Sequence, residues 1–510
     1  MRVQDSFVPG WHWILLSLAL TSLYLFGASS HGLLEPDEGR YANMAMEWTE
    51  FAEHDWDEPV LSDVGHFDKP PLIYWVTGTS FLLFGNSELA ARLPSLLGAF
   101  LTLAGVALLA WRQYGERAAW WSVLVCGTTI HFWALAQLLS PDMLLCGFCT
   151  LGAALTLSKD KGRRGTLLWL LGALCWVLAW WTKATASLVP LAAITAAILL
   201  TRRRDLVSSL KPLRLFLIIL ALGSPWYIAM MLRHPELERF FFHRELVGRV
   251  TGHEDGREGF PGFHFVVALG VWLPWWPYLS EATRRGFPQW RSLPWKERLV
   301  ALPWEAVAAL SILTIFSFVS SKLITYTLPA LPFIAVAIGS RLGQIGFSLR
   351  QWPARTTVLT FVSLFAISLS FPAFEEKLGS NSSLRKVVAR ARASGADLMI
   401  LDRYRPGAEF YFGESVVYIA TKSIVQVEKA RGQAPGLHFL TPGDLKDRID
   451  SRTGFFCLVQ MGDKLQPWGE KLLKKYGEGS TPESFGAFRL WILENESRLH
   501  ETLPRGSSGR

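Results

Sequence analysis

Between Trp11 and about Pro372 the chain is a succession of apolar runs, each roughly 16 to 22 residues, the length a helix needs to cross a hydrocarbon core of about 30 Å. Arg/Lys clusters and Trp bound the runs. Composition agrees: 50% of the residues are hydrophobic and 13% aromatic, with 23 Trp, and mean hydropathy is positive. A soluble protein of 510 residues is less apolar than this, so the chain reads as a mainly α, polytopic membrane protein. The runs predict about eleven transmembrane helices, at 11–30, 92–111, 118–138, 143–158, 166–181, 184–201, 213–232, 263–282, 300–318, 323–340 and 355–372. The first follows a short segment with one Arg and one Asp and precedes no convincing cleavage site, so a retained helix rather than a signal peptide is expected.

The net charge of +8 matters less than where it sits. Alternate connections near 112–117, 159–164, 202–214, 284–298 and 341–355 hold nineteen Lys/Arg and four acids, whereas 31–71 holds two basic residues and eleven acids. Short basic loops stay in the cytoplasm. This bias predicts a cytoplasmic N-terminus and places 31–91, 139–142, 182–183, 233–262, 319–322 and everything after Pro372 outside. The basic runs Lys159 to Arg164 and Arg202 to Arg204 adjoin spans, where topology accounts for them, and no nucleic-acid motif is present. Trp272, Trp275 and Trp276 read mainly as an interfacial aromatic belt, and Lys183 as a boundary lysine reaching for the interface, a reading placed slightly ahead of a role in substrate contact.

Two domains are expected: 1–372, the membrane domain including the outer loop 31–91, and 373–510, a small soluble α/β module. The second mixes β-like stretches (Leu398 to Leu401, Phe410 to Tyr411, Ser415 to Ile419, Phe455 to Val459, Phe488 to Ile492) with a helical one, Glu470 to Tyr476. Cys126, Cys146, Cys149 and Cys175 lie in apolar runs and Cys457 in the tail, without the spacing of a metal knuckle or a disulfide framework, so all five read as packing residues.

The polar clusters fall on the predicted outer side. The first outer loop opens with Glu35-Pro36-Asp37-Glu38-Gly39-Arg40-Tyr41, which puts two adjacent carboxylates beside a guanidinium. His66-Phe67-Asp68-Lys69-Pro70-Pro71 follows, a charged pair before a stiff Pro-Pro step and an aromatic stretch suited to the interface. Ser140-Pro141-Asp142 puts a carboxylate at a span end, and Ser320-Ser321-Lys322 with Tyr326 puts a cation and a phenol at another. Ionisable groups at such depth are costly and usually face a cavity or a partner. Asp142 also has a plainer explanation, as an acid complementing a helix dipole.

In order along about 300 residues, Asp37-Glu38 with Arg40-Tyr41, Lys69-Pro70-Pro71, Ala91-Arg92-Leu93-Pro94-Ser95, Pro141-Asp142, Thr182-Lys183 and Ser321-Lys322 with Tyr326, Leu328, Pro329 and Pro332 resemble one branch of the GT-C glycosyltransferases. That branch contains the lipid A aminoarabinose transferases and the protein O-mannosyltransferases. The resemblance implies a GT-C fold in a bacterial inner membrane and an inverting transfer of sugar from a polyprenyl-phosphate carrier, on the outer face, to an acceptor such as lipid A or another glycan. Asp37, with Glu38, is then the catalytic carboxylate; Arg40, Lys69, Arg249 and Arg244 are ligands of the carrier phosphate; Asp142, Tyr41, Lys322 and Tyr326 contact sugar or acceptor. The sequence departs from the branch where a Glu-His pair is expected and Glu245-Leu246 stands, which weakens a divalent-metal site on Asp68 and His243. No cofactor is required when Arg and Lys already match the leaving group's charge.

Two other functions fit the same composition. A protein acceptor would make the chain a protein O-glycosyltransferase of the same superfamily. A polyprenyl-lipid transporter or flippase would spread ionisable residues through the bilayer and show repeated halves. Here they gather on one side and no repeat is evident.

Overall fold

The structure is a computed structural model that describes residues 8–50, 55–61, 64–243, 259–275, 277–278, 291–343, 352–377, 381–394, 397–400, 406–412, 417–419, 439–440, 454–461, 470, 474, 481–485 and 488–495. It separates into two compact units: Met1–Ala28 with Phe67–Ser80 and Leu89–Leu369, and Ser29–His66 with Phe81–Glu88 and Ser370–Arg510. Of the loop expected at 31–91, residues 31–66 and 81–88 are thus grouped with the tail, and 67–80 with the helices of the first unit.

The first unit is helical. Among the described residues six helical runs are long and apolar enough to cross a membrane: Gly10–Ser29, Glu88–Tyr114, Gly162–Leu200, Arg204–Arg233, Ile324–Leu342 and Pro353–Ala373. A seventh is made by Glu116–Thr128 and Ile130–Ala136, bent by 66°. The expected eleven spans are not reached. The expected spans at 143–158 and 300–318 are the shorter helices Pro141–Thr156 and Trp304–Phe318, and those at 166–181 and 184–201 share one run broken by a 3₁₀ turn, Ala184–Ser187. The span expected at 263–282 is helical over Phe263–Val271 and continues into turns, its end lying outside the described residues. Hydropathy counts apolar residues but does not register breaks.

The bend falls at Thr129, whose backbone is extended with φ −65° and ψ 131°. Thr128 and Thr129 both turn their hydroxyls back onto carbonyls four residues earlier, Leu124 at 2.6 Å and Val125 at 2.6 Å, a bond that bends helices. Trp275 then donates its indole N–H to Thr128 Oγ1 at 2.9 Å. Trp275 and Trp272 are buried in the core, which corrects their reading as an interfacial belt; Trp276 lies outside the described residues. An indole sinks into a core when its N–H finds an acceptor there, as that of Trp275 does.

Without a hydrophobic drive between helices in lipid, association rests on close packing of small residues. Helices Glu88–Tyr114 and Pro141–Thr156 meet this way: a Cβ on Gly98 would lie 2.5 Å from Met143 O, and one on Gly147 would strike Gly98 O. Ser95 and Ser140 tie the same helices, with Ser140 N–H donating to Ser95 Oγ at 3.2 Å. Arg92, fully buried, donates to the Ala28 carbonyl at 2.7 Å and so satisfies one of the carbonyls a helix leaves open in its last turn. Helix Trp352–Lys377 instead exposes Val358, Leu359, Val362, Phe365 and Leu369, as a lipid-facing helix would.

The second unit carries helix Asp37–Trp48, a two-residue antiparallel pair of β1 (Val60–Leu61) and β2 (Val64–Gly65), and a six-stranded sheet. The sheet runs β5-β4-β3-β6-β8-β7, with β3 Asp397–Ile400, β4 Val417–Ile419, β5 Phe439–Leu440, β6 Gly454–Met461, β7 Glu483–Phe485 and β8 Phe488–Asn495. Strands β3 to β6 pair in parallel, while β8 is antiparallel to β6 and β7. Leu384, Val387, Val388 and Ala391 of helix Asn381–Ala393 form its core with Ala408, Phe412, Cys457, Val459 and Leu490. Phe410 and Tyr411, expected in a strand, belong to helix Pro406–Phe412, where residues 406–410 and 412 are all buried; the predicted helix at 470–476 lies mostly outside the described residues.

Gly98→Val tests the glycine contact. Overpacking of this kind costs about 1–3 kcal/mol, so purified Gly98→Val is expected to unfold in detergent at a lower temperature than the parent chain. An unchanged midpoint would refute the close packing.

Candidate functional site

Helix Asp37–Trp48 begins directly after Pro36, with Asp37 and Glu38 in its first turn, where carboxylates complement the helix dipole. The two acids are held differently. Glu38 is buried, and its Oε2 accepts the Leu34 N–H at 2.8 Å, bracing the entry of the chain into the helix. Asp37 points outward with 66% of its side chain exposed, and Oδ1 lies 2.7 Å from Arg40 Nη2. An exposed pair of this kind contributes well under about 1 kcal/mol to stability. The arrangement therefore presents an exposed carboxylate beside a guanidinium that is itself largely covered, 26% of its side chain being exposed. Arg40 also lies over the ring of buried Tyr41, 5.2 Å from its centroid.

Asp68 and Lys69 precede Pro70, Pro71 and helix Leu72–Phe84, with Lys69 Nζ donating to the Asp68 carbonyl at 2.8 Å. Phe67 packs against the His234 ring at 5.3 Å between centroids. His243 is exposed at the end of a short turn; Arg244 and Arg249 lie outside the described residues. No group of three or more His, Cys, Asp or Glu that could hold a metal ion occurs among the described residues.

A second cluster gathers three segments of the first unit. Ser140 caps helix Pro141–Thr156, its hydroxyl accepting the Asp142 N–H at 3.1 Å. This fixes Asp142 in the first turn, where Oδ1 meets Lys183 Nζ at 2.6 Å. The side chains are 14% and 9% exposed, so the pair is largely withdrawn from water and each charge depends on the other. Lys183 Nζ also stands 5.4 Å from the centroid of the Tyr326 ring, which stacks on Phe316 at 4.7 Å and on His264 at 6.0 Å. One residue along, Thr327 Oγ1 and His131 Nε2 are 3.1 Å apart.

The structure thus brings Asp37 together with Arg40 and Tyr41, and Asp142 with Tyr326. Lys322 is turned elsewhere: Nζ donates to the Ser317 and Val319 carbonyls, at 2.6 and 2.5 Å, at the end of helix Trp304–Phe318. Loss of solvent there lowers its pKa from the ordinary lysine value. Lys183 is the member that sequence reasoning undervalued by treating it as a boundary lysine. A signal was present, because a lysine on a turn expected outside runs against the charge bias of the loops.

Residues 68–228 match the family of dolichyl-phosphate-mannose-protein mannosyltransferases. The undecaprenyl phosphate-alpha-4-amino-4-deoxy-L-arabinose arabinosyl transferase of Photorhabdus laumondii is 28% identical over 63% of this chain and 58% of its own. The protein of that name from Pseudomonas aeruginosa is 30% identical over 65% and 60%. The chain spans less than two thirds of the length of these relatives. Among solved structures, ArnT from Cupriavidus metallidurans bound to undecaprenyl phosphate superposes with a TM-score of 0.73 at 18% identity, covering 95% of this chain and 98% of that one. The apo oligosaccharyltransferase of Archaeoglobus fulgidus follows at 0.51 and 12% identity, covering 93% and 71%. The chain is therefore similar in sequence, over part of its length, to undecaprenyl phosphate-aminoarabinose arabinosyl transferases, and it shares the fold of ArnT from Cupriavidus metallidurans.

Proposed function

We propose that the chain transfers a sugar from a polyprenyl-phosphate carrier to a lipid or glycan acceptor of the bacterial envelope, lipid A being the first candidate. The observation that carries this reading is the outward-facing Asp37–Arg40 pair at the start of helix Asp37–Trp48 in a GT-C fold. The names of the relatives support the donor class, since they specify undecaprenyl phosphate. In an inverting transfer the acceptor oxygen bonds to the anomeric carbon as the bond from that carbon to the phosphate oxygen breaks. The acceptor's proton goes to a carboxylate base and the bonding electrons leave with the carrier phosphate. Asp37 is the base in this scheme, and Arg40 and Lys69 offset the charge of the departing phosphate. Arg244 and Arg249 are further phosphate ligands. Tyr41, Asp142 and Tyr326 are assigned to sugar or acceptor, whereas Glu38 acts through the Leu34 brace. A protein acceptor is the second reading, favoured by the match to protein mannosyltransferases.

Asp37→Asn keeps shape and hydrogen bonding but cannot serve as a carboxylate base. Transfer in purified protein is expected to fall by about a hundredfold to ten-thousandfold, with membrane abundance and donor binding retained; full activity would remove Asp37 from the role. Arg40→Ala and Lys69→Ala are each expected to weaken carrier-lipid binding by about 1.5–3 kcal/mol. Arg40→Lys should restore binding only in part, because the two-pronged guanidinium contact is lost; normal binding by the alanine variants would dispose of the phosphate clamp.

The charge bias supports a cytoplasmic N-terminus and a periplasmic tail. A reporter enzyme fused after Pro372 is expected to be active only when exported. Activity confined to the cytoplasm would overturn the topology.

A further inference from the structure

In the second unit, helix Asp37–Trp48 and helix Pro406–Phe412 of the tail lie against each other. They come close at two glycines. A Cβ on Gly39 would lie 2.6 Å from Gly407 N, and one on Gly407 would lie 3.5 Å from the Gly39 Cα. Gly39 stands between Glu38 and Arg40, so this contact is made from within the segment that presents Asp37 and Arg40. Four hydrogen bonds surround it. Gly407 N–H, in the first turn of the tail helix, donates to Glu35 Oε1 at 2.7 Å. Leu33 N–H donates to the Tyr411 hydroxyl at 2.7 Å. Asn43, fully buried, donates from Nδ2 to Glu409 Oε2 and, at 3.1 Å, to Glu47 Oε1. Glu47 and Glu409 are themselves buried. The rings of Phe81 and Phe410 close the contact at 5.6 Å.

Buried hydrogen bonds of this kind fix orientation as well as adding stability, because a half-satisfied buried carboxylate is costly. From this geometry we infer that the tail helix is the seat of the catalytic segment: Asn43, Gly407 and Glu409 are positioning residues that set where Asp37 and Arg40 stand. The inference rests on the transferase reading given above. It assigns the tail a part in turnover, since a displacement of about 1 Å at a reacting group can cost about a hundredfold in rate.

Three variants of the full chain test it. Asn43→Ala and Gly407→Val are expected to lower kcat about tenfold to a hundredfold per folded molecule, whereas Glu409→Gln, whose amide oxygen still accepts from Asn43, should stay close to the parent chain. In an Asp37→Asn background Asn43→Ala should cause no further loss, because its effect passes through Asp37; two independent, additive losses would overturn the inference. Amide hydrogen exchange over residues 37–48 provides a readout that needs no turnover. Gly407→Val is expected to speed exchange there at least tenfold, and unchanged exchange would overturn the seat. If the parent chain bound no carrier lipid and transferred no sugar, the transferase reading would fall while the exchange result would still decide whether the tail helix holds the segment.

Discussion

Hydrocarbon offers a peptide group no hydrogen bond, so wherever a membrane helix stops or bends, the chain must supply the partner itself. Several breaks in this fold show side chains doing so. Thr128 and Thr129 turn back onto their own helix at the 66° bend, and Ser140 caps the helix that follows. Arg92 reaches the Ala28 carbonyl at the end of the first helix, and Lys322 takes up two carbonyls at the end of helix Trp304–Phe318. The polar residues that stand out in an apolar sequence are therefore of two kinds. Some repair helix ends, and others have side chains left over for chemistry.

Asp142 shows how the kinds can overlap. Its backbone N–H is consumed by the Ser140 cap, while its carboxylate meets Lys183 beneath the Tyr326 ring. A buried pair of this sort costs about as much to desolvate as it returns in attraction. Its value lies in fixing the relative placement of three segments. Asp37 and Arg40 are the contrary case, a pair of small energetic worth whose carboxylate is left open to solvent.

The helical character, the order of the motifs and the acid pair could be read from residues adjacent in sequence, where periodicity and composition carry the signal. What depended on residues far apart could not. The pairing of Asp142 with Lys183 spans 41 positions, and the contact of Asn43 with Glu409 spans 366. Hydropathy also gave no sign of the breaks within these runs, because the 3₁₀ turn Ala184–Ser187 and the bend at Thr129 adjoin residues as apolar as the rest of the helices. Phe410 and Tyr411 have the composition of a strand, yet they lie in a helix whose buried residues include Phe410 and Glu409.

The cysteines have a practical bearing. Cys126, Cys146, Cys149 and Cys457 are buried and Cys175 is partly covered within an apolar helix. Thiol reagents attack the thiolate, a form that an apolar surrounding suppresses. Burial pushes the Cys457 thiol above its ordinary value. The native chain is in effect silent toward membrane-impermeant maleimides. A single cysteine introduced into any connecting loop would report which side of the bilayer that loop faces, with no need to remove the five natural ones first.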